Sequence, residues 1–295
     1  MDIELLDSIK LFNLDCFDFF KKVEDNSINL FILDLPYANK HFGNCTACKW
    51  DTPIDLNKMW IEIKRTMKPH AIIIFFCNAK FGYSLISSNP KWFSYDLIWK
   101  KSRKVGFLSA NKQPLRQHEL MYIFKESKGT YNPQKTEGKP YTATRKSAEM
   151  YGENLIHIPT INTGDRHPTS IIEQDLGMID GGYYRKEGGK PFKRMPNDPN
   201  SSHPTSIIDH DYEGETILEF KNPNKPIHRT QKPVDLLEWL IKSYSNENDV
   251  ICDFTFGSGS TPIACLNTKR KFIGCERDED IFNNAENRII DTFNV

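Results

Sequence analysis

The sequence predicts an α/β fold on a mostly parallel sheet, interrupted by a long loop-rich block. Three observations carry that expectation. Short apolar runs alternate with helical stretches in the first third of the chain and again after Pro233. The run Ala71–Cys77 is apolar throughout and rich in isoleucine, as a central strand covered on both faces requires. Gly257-Ser258-Gly259 follows directly on an apolar strand and opens a helix, so backbone can approach a ligand there.

Taken in order, Ile9–Asp15 reads as a strand and Phe17–Val23 as a short helix. Ile28–Leu33 is a buried strand that runs into Asp34-Leu35-Pro36-Tyr37. Leu56, Met59, Trp60, Ile63 and Met67 recur at helical spacing, and Pro69 closes that helix. Ala71–Cys77, Tyr95–Lys100 and Leu120–Phe124 are further strands. From about Ser127 to Ile227 the periodicity disappears, and Gly, Pro, Asn and charged residues dominate. A stretch of that length without regular structure is functional or disordered. It holds a short duplication, His167-Pro-Thr-Ser-Ile-Ile172, which returns at His203–Ile208. Two copies are too few for a solenoid. Regular structure resumes with a helix at Val234–Ser243, a strand at Asp249–Cys252 and the turn and helix of Gly257–Leu266. A strand at Lys271–Cys275 ending at Glu276 and a helix at Glu279–Ile290 complete the chain. The expected organisation is therefore one core in two halves, residues 1–126 and 228–295, around an insertion at 127–227.

With 38% hydrophobic residues the chain can build a real core, and no apolar run approaches the roughly 20 residues of a spanning helix. The N-terminus lacks a basic region followed by an apolar one, and the seven cysteines are scattered, so a cytoplasmic protein is expected. Net charge is zero, but the stretch from Ile98 to Lys146 carries 12 Lys and Arg against 3 acidic residues. Such a local excess suits a phosphate-bearing partner, and equally a solvated surface. Cys45-Thr-Ala-Cys48 has no second pair at zinc-like spacing, and no metal is expected.

Two constellations carry chemistry. Asp253 ends a strand ahead of the glycine turn, and Glu276 ends the next strand 23 residues later. A carboxylate in that place suits ribose hydroxyls. The Walker lysine is absent, and Pro262 stands near the position where a dinucleotide loop wants a third small residue. An adenosine-bearing cofactor without a pyrophosphate fits better. In the second constellation, Asp34 ends a buried strand, where an open α/β sheet points its side chains into the ligand crevice. Pro36 stiffens the turn and Tyr37 offers an aromatic face.

Together, Asp34-Leu-Pro36-Tyr37 and the Phe254-Thr-Phe-Gly257-Ser258-Gly259 turn resemble the DNA amino-methyltransferases, with the substrate motif preceding the cofactor motif as in their β class. His228-Arg-Thr230-Gln231-Lys232-Pro233 resembles that family's His-Pro-Thr-Gln-Lys-Pro segment. Lys91-Trp-Phe93, Trp99-Lys-Lys-Ser-Arg103 and Leu115-Arg-Gln-His-Glu119 look similar to it too. The resemblance covers about two thirds of the chain; Leu35, Arg229 and the Phe254-Thr255 pair depart from the commoner residues. It implies a circularly permuted Rossmann-like methyltransferase fold with a target-recognition insertion, S-adenosylmethionine as cofactor and double-stranded DNA as partner. A homodimer is also the class default, and the protein either has a cognate restriction endonuclease or stands as an orphan enzyme.

By that resemblance Asp34 and the carbonyl of Pro36 accept the N–H groups of an exocyclic amine, and Tyr37 stacks on a base flipped from the duplex. Asp253, Phe254, Gly257, Ser258, Gly259 and Glu276 hold the cofactor, with Thr230, Gln231 and Lys232 over its amino-acid end. Asp15 either contacts the cofactor's adenine or is simply a helix N-cap. Because the motif begins with Asp, N6 of adenine is the expected target, with cytosine N4 the alternative. An RNA or protein amide methyltransferase, or a non-catalytic subunit with a methyltransferase fold, are the remaining rivals.

Overall fold

The computed structural model describes residues 2–6, 8–38, 51–143, 159–173 and 231–293. Strands β1 (Asp2–Leu6) and β2 (Ile9–Phe12) form an antiparallel hairpin, and helix α1 (Cys16–Phe20) follows. Then come β3 (Ile28–Leu33), α2 (Leu56–Thr66), β4 (Met67–Cys77) and α3 (Ala79–Ser88). A long hairpin of β5 (Phe93–Val105) and β6 (Arg116–Phe124) comes next. Short strands β7 (Thr136–Glu137) and β10 (Asp165–Arg166) pair with each other, as do β8 (Tyr141–Ala143) and β9 (Thr160–Asn162). The remaining elements are β11 (Ile171–Glu173), α4 (Val234–Tyr244), β12 (Val250–Asp253), α5 (Ser260–Asn267), β13 (Lys271–Cys275) and α6 (Glu279–Phe293).

One sheet runs in the order β1-β2-β13-β12-β3-β4-β6-β5-β11. Its centre, from β2 to β4, is parallel, while β6 is antiparallel to both β4 and β5. The mostly parallel α/β sheet expected from the alternation of strands and helices is the one observed. From β3 the chain steps outward to β4, and from the adjacent β12 it steps the other way to β13. This reversal is a topological switch point, where the crevice beyond the strand ends is open to a ligand.

The parallel strands are buried on both faces, so their side chains split cleanly by parity. Leu30, Ile32, Ile72, Ile74, Phe76 and Ile251 pack with Leu236, Leu240, Ile263 and Phe282 of α4, α5 and α6. Phe31, Leu33, Ile73 and Phe75 pack with Phe19, Met59, Ile63 and Leu85 of α1, α2 and α3. Among the described residues the result is three layers, with three helices on each face of the sheet. Gly274 lies where β13 crosses close to β12: an added Cβ would sit 2.2 Å from the carbonyl oxygen of Asp253 and 2.5 Å from the Phe272 ring. Gly274→Ala should therefore destabilise the fold by about 2–3 kcal/mol, read by urea denaturation.

Several elements differ from the sequence expectation. The hairpin partner β1 and helix α3 carry too little periodic signal in five and ten residues to stand out. Helix α2 stops at Thr66, ahead of Pro69, because Met67 already pairs with Ile28. Strands β5 and β6 run well beyond their apolar centres, since hairpin pairing extends through polar residues. The irregular block is not wholly apart from the sheet: Ile171–Glu173, partly within the first copy of the duplication, adds a parallel edge strand to β5. The second copy lies outside the described residues, as do Cys45 and Cys48. The start of the block docks on α4, where the Asn132 N–H donates to Ser243 O at 2.7 Å. Its side-chain amide donates to Ser245 O at 3.0 Å. No described helix is long and apolar enough to cross a membrane.

Candidate active site

A pocket of about 580 Å³ opens at the carboxyl edge of the parallel strands. Its walls come from both sides of the switch point. Asp15, Asp253, Phe254, Gly257, Ser258 and Glu276 line one half, beyond β2, β12 and β13. Asp34, Pro36, Tyr37, Gln231 and Lys232 line the other, together with Lys101 and Glu119 from the β5–β6 hairpin. Of the residues singled out in the sequence, Thr230 lies outside the described residues. Gly259 is not a wall residue: at φ 77° it caps α5, and a Cβ there would press on Ala285 of α6 at 3.2 Å. It is needed for the turn and for close helix packing.

In the first half, the glycine turn is held by side chains. The Gly257 N–H donates to Glu276 Oε2 at 3.2 Å, while Glu276 Oε1 accepts from the Asp278 N–H at 2.9 Å. Burial nonetheless pushes the Glu276 carboxyl above its usual range. Asp253 accepts from the Thr261 hydroxyl at 2.7 Å and the Thr255 N–H at 3.1 Å. Burial raises its carboxyl to about 7 against those two bonds. Asp15 Oδ1 accepts from the Phe17 N–H at 3.0 Å, so the residue caps α1 and also lines the pocket.

The second half is a buried ionic cluster. Lys232 Nζ donates to Asp34 Oδ2 and lies 3.3 Å from Glu119 Oε1. Lys101 Nζ pairs with Glu119 Oε2. The Tyr37 hydroxyl stands 2.6 Å from Glu119 Oε1 and 3.1 Å from Asp34 Oδ1, bridging the two carboxylates. Two carboxylates and two ammoniums cancel, which is the condition for burying all four. Burial raises the Asp34 carboxyl, Lys232 opposes that rise, and the charge on Glu119 adds to it. Glu119 is buried too, but with Lys232 and Lys101 beside it the carboxyl is held down at about 2. Burial between two carboxylates holds the Tyr37 hydroxyl far above the usual phenol range. Phe81 stacks on the Tyr37 ring with centroids 5.4 Å apart, and Phe76 lies 4.8 Å from Lys232 Nζ.

Glu119, Lys101, Thr255 and Thr261 were given no role by sequence reasoning. The available signal for Glu119 was the Leu115–Glu119 segment, whose resemblance was seen without its spatial neighbours. Lys232 was expected over a cofactor; the structure sets its ammonium on Asp34. Cys16 and Cys77 also line the pocket, but burial pushes the Cys16 thiol up to about 12 and the Cys77 thiol further still. Neither is a thiolate near neutral pH.

The pocket's size suits a nucleoside-bearing ligand. Apolar walls from Phe254 and Phe256, a glycine turn, and carboxylates at Glu276 and Asp253 fit an adenosine group with a cationic attachment.

Comparison with known proteins places this arrangement. The family model for N6/N4 DNA methylases matches residues 28–287. Type II methyltransferase M1.MboII of Moraxella bovis is 25% identical over 95% of this chain and 96% of its own length. Type II methyltransferase M.HpaI of Haemophilus parainfluenzae is 23% identical over 93% of this chain and 72% of its own. Among solved structures, M1.HpyAVI in complex with SAM superposes with a TM-score of 0.53 at 17% identity, covering 95% of this chain and 99% of that one. The cytosine-N4-specific PvuII DNA methyltransferase superposes at 0.56 with 11% identity, covering 98% and 92%. The chain thus has a Rossmann-like methyltransferase fold and belongs to the N6/N4 DNA methylase family, whose methyl donor is S-adenosylmethionine.

Proposed function

We propose that the protein methylates the N6 amine of adenine at a specific sequence in double-stranded DNA. The observation that supports this reading is the Asp34 carboxylate at the end of β3, in one pocket with Asp253, Gly257 and Glu276. Bound S-adenosylmethionine supplies a methyl group on a positively charged sulfur. An exocyclic amine is a poor nucleophile because its lone pair is delocalised into the ring. Asp34 accepts one of its N–H groups and the Pro36 carbonyl the other, which localises the lone pair on nitrogen. Phe81 braces one face of Tyr37, and in this reading the base stacks on the other. Stacking of that kind is worth about 1–3 kcal/mol per base.

In the other half, Glu276 receives the ribose hydroxyls, and the Gly257 and Ser258 backbone and Phe254 line the adenosine site. Asp253, oriented by the Thr261 hydroxyl and the Thr255 N–H, faces the same half. Thr230 and Gln231 cover the amino-acid end. Asp15 can serve twice, since one oxygen caps α1 while the residue faces the pocket.

The carboxylate favours adenine over cytosine, because relatives acting on cytosine N4 more often begin this motif with Ser. The fold does not discriminate, since the cytosine-N4-specific PvuII enzyme shares it. For DNA binding, the β5–β6 hairpin offers Lys104, Lys112 and Arg116 around the exposed Phe107 and Leu108 at its tip. Residues 127–227 form the target-recognition insertion in this reading. The type II naming of M1.MboII and M.HpaI supports a companion restriction endonuclease.

The test is methyl transfer to DNA of mixed sequence, followed by digestion and mass spectrometry of the nucleosides. N6-methyladenine is the expected product. N4-methylcytosine would overturn the base assignment, and methylated RNA or protein with no methylated DNA would overturn the substrate class.

A further inference from the structure

We propose that Glu119 and Lys232 are positioning residues for the transfer: Lys232 moves from Asp34 to Glu119 when the base arrives, leaving Asp34 an ionised, open acceptor. The inference rests on Asp34 accepting the base amine. In the structure that acceptor is occupied, with Lys232 on Oδ2 and the Tyr37 hydroxyl near Oδ1. Both occupants already have a second seat on Glu119. Lys232 Nζ is 3.3 Å from Glu119 Oε1, and the Tyr37 oxygen is closer to Glu119 than to Asp34, at 2.6 Å against 3.1 Å. A displacement of under about 1 Å at Nζ completes the exchange, well within side-chain motion. No covalent bond breaks, and because Lys232 moves so little its charge stays beside Asp34. Lys232 trades one carboxylate for another, and Asp34 trades an ammonium N–H for an amine N–H.

Glu119 is built for this task. Lys101 fixes its Oε2, so Oε1 stays turned toward Lys232 and Tyr37. Without Glu119, the lysine could leave Asp34 only as an unpaired buried ammonium, which is strongly disfavoured. Without Lys232, a charged Asp34 would stand buried beside another carboxylate with no cation at hand, and protonation would be favoured. Among the described residues, the groups that face Asp34 are Lys232 ahead of α4, Glu119 on β6, Tyr37 on its own turn, Cys77 at the end of β4 and Asp253 at the end of β12. Lys101 on β5 acts on it through Glu119.

The experiment is single-turnover methyl transfer to DNA between pH 5.5 and 8.5, for the wild type and for K232M, K232R and E119Q, each checked for S-adenosylmethionine binding by calorimetry. K232M should move the acid limb of the rate up by about one pH unit, because Asp34 loses its cation. E119Q should move it down, because Asp34 loses a like charge, while lowering the plateau at least about tenfold because Lys232 has nowhere else to go. K232R keeps the charge and should hold the limb near the wild type. Opposite shifts in the two neutralising variants are a signature that a packing role would not give. Acid limbs unmoved in K232M and E119Q, or a full plateau rate in E119Q, would overturn the exchange. So would a K232M variant that loses S-adenosylmethionine binding with its limb in place, which would assign the lysine to the cofactor. Should K232M fail to fold, the direction of the limb in E119Q decides alone. D34N separates the two levels: if it is active at the wild-type rate, the amine-acceptor reading itself falls. If it is inactive while the limbs stay unmoved, only the exchange falls.

Discussion

Asp34→Ala should lower the single-turnover rate of methyl transfer at least about 10³-fold while leaving S-adenosylmethionine affinity within about threefold. The carboxylate stands at the end of β3, across the switch point from the cofactor half, so its loss removes an acceptor for the amine and no group from the glycine turn. Lys232 still has Glu119 at 3.3 Å, although one carboxylate then serves two ammoniums and some stability is lost. The variant should therefore fold and bind cofactor. Filter-bound tritium from labelled cofactor reads the rate, and calorimetry reads the affinity. A variant that keeps a tenth or more of the rate would place the amine elsewhere.

Glu276→Ala should show the reverse split. Hydrogen bonds to a charged group are worth about 1.5–3 kcal/mol, so the cofactor's dissociation constant should rise roughly 10- to 100-fold. The rate at saturating cofactor should stay within about threefold, since Glu276 lies in the cofactor half. Part of the loss will come through the turn itself, because Glu276 also accepts from the Gly257 and Asp278 N–H groups. A fall in the saturated rate with unchanged affinity would mean that the carboxylate serves the reacting atoms instead.

These two carboxylates were legible in the sequence for the same reason. Each follows a short apolar run, and in a parallel sheet the residue after such a run meets the ligand crevice. The central strands were legible as unbroken apolar runs, α2, α4 and α6 by their apolar faces, and α5 by the glycine turn that opens it. β1 and α3 were not, being short or weakly patterned. Strand β11 was hidden for another reason: it is an edge strand in a polar block, and a parallel partner 73 residues away leaves no local trace. The ionic cluster lay beyond reach because it is assembled from four separate segments. Lys232 is 198 residues from Asp34, and Glu119 is 82 from Tyr37. Local pattern could show that each residue was unusual, but only strand register brings Glu119, opposite Trp99 on β5, to the edge where β3 ends.

The central claim is that donor and amine share one pocket, so that the methyl group passes directly between them. The buried thiols of Cys16 and Cys77 at its wall have their ionisation pushed far up, which argues against a methylated-enzyme intermediate there. The most direct test is the stereochemistry of transfer from S-adenosylmethionine carrying a chiral methyl group of hydrogen, deuterium and tritium. A single in-line displacement inverts that centre, and inversion is the predicted result. Net retention in the methylated DNA would require two displacements through a group on the protein, and would contradict the account.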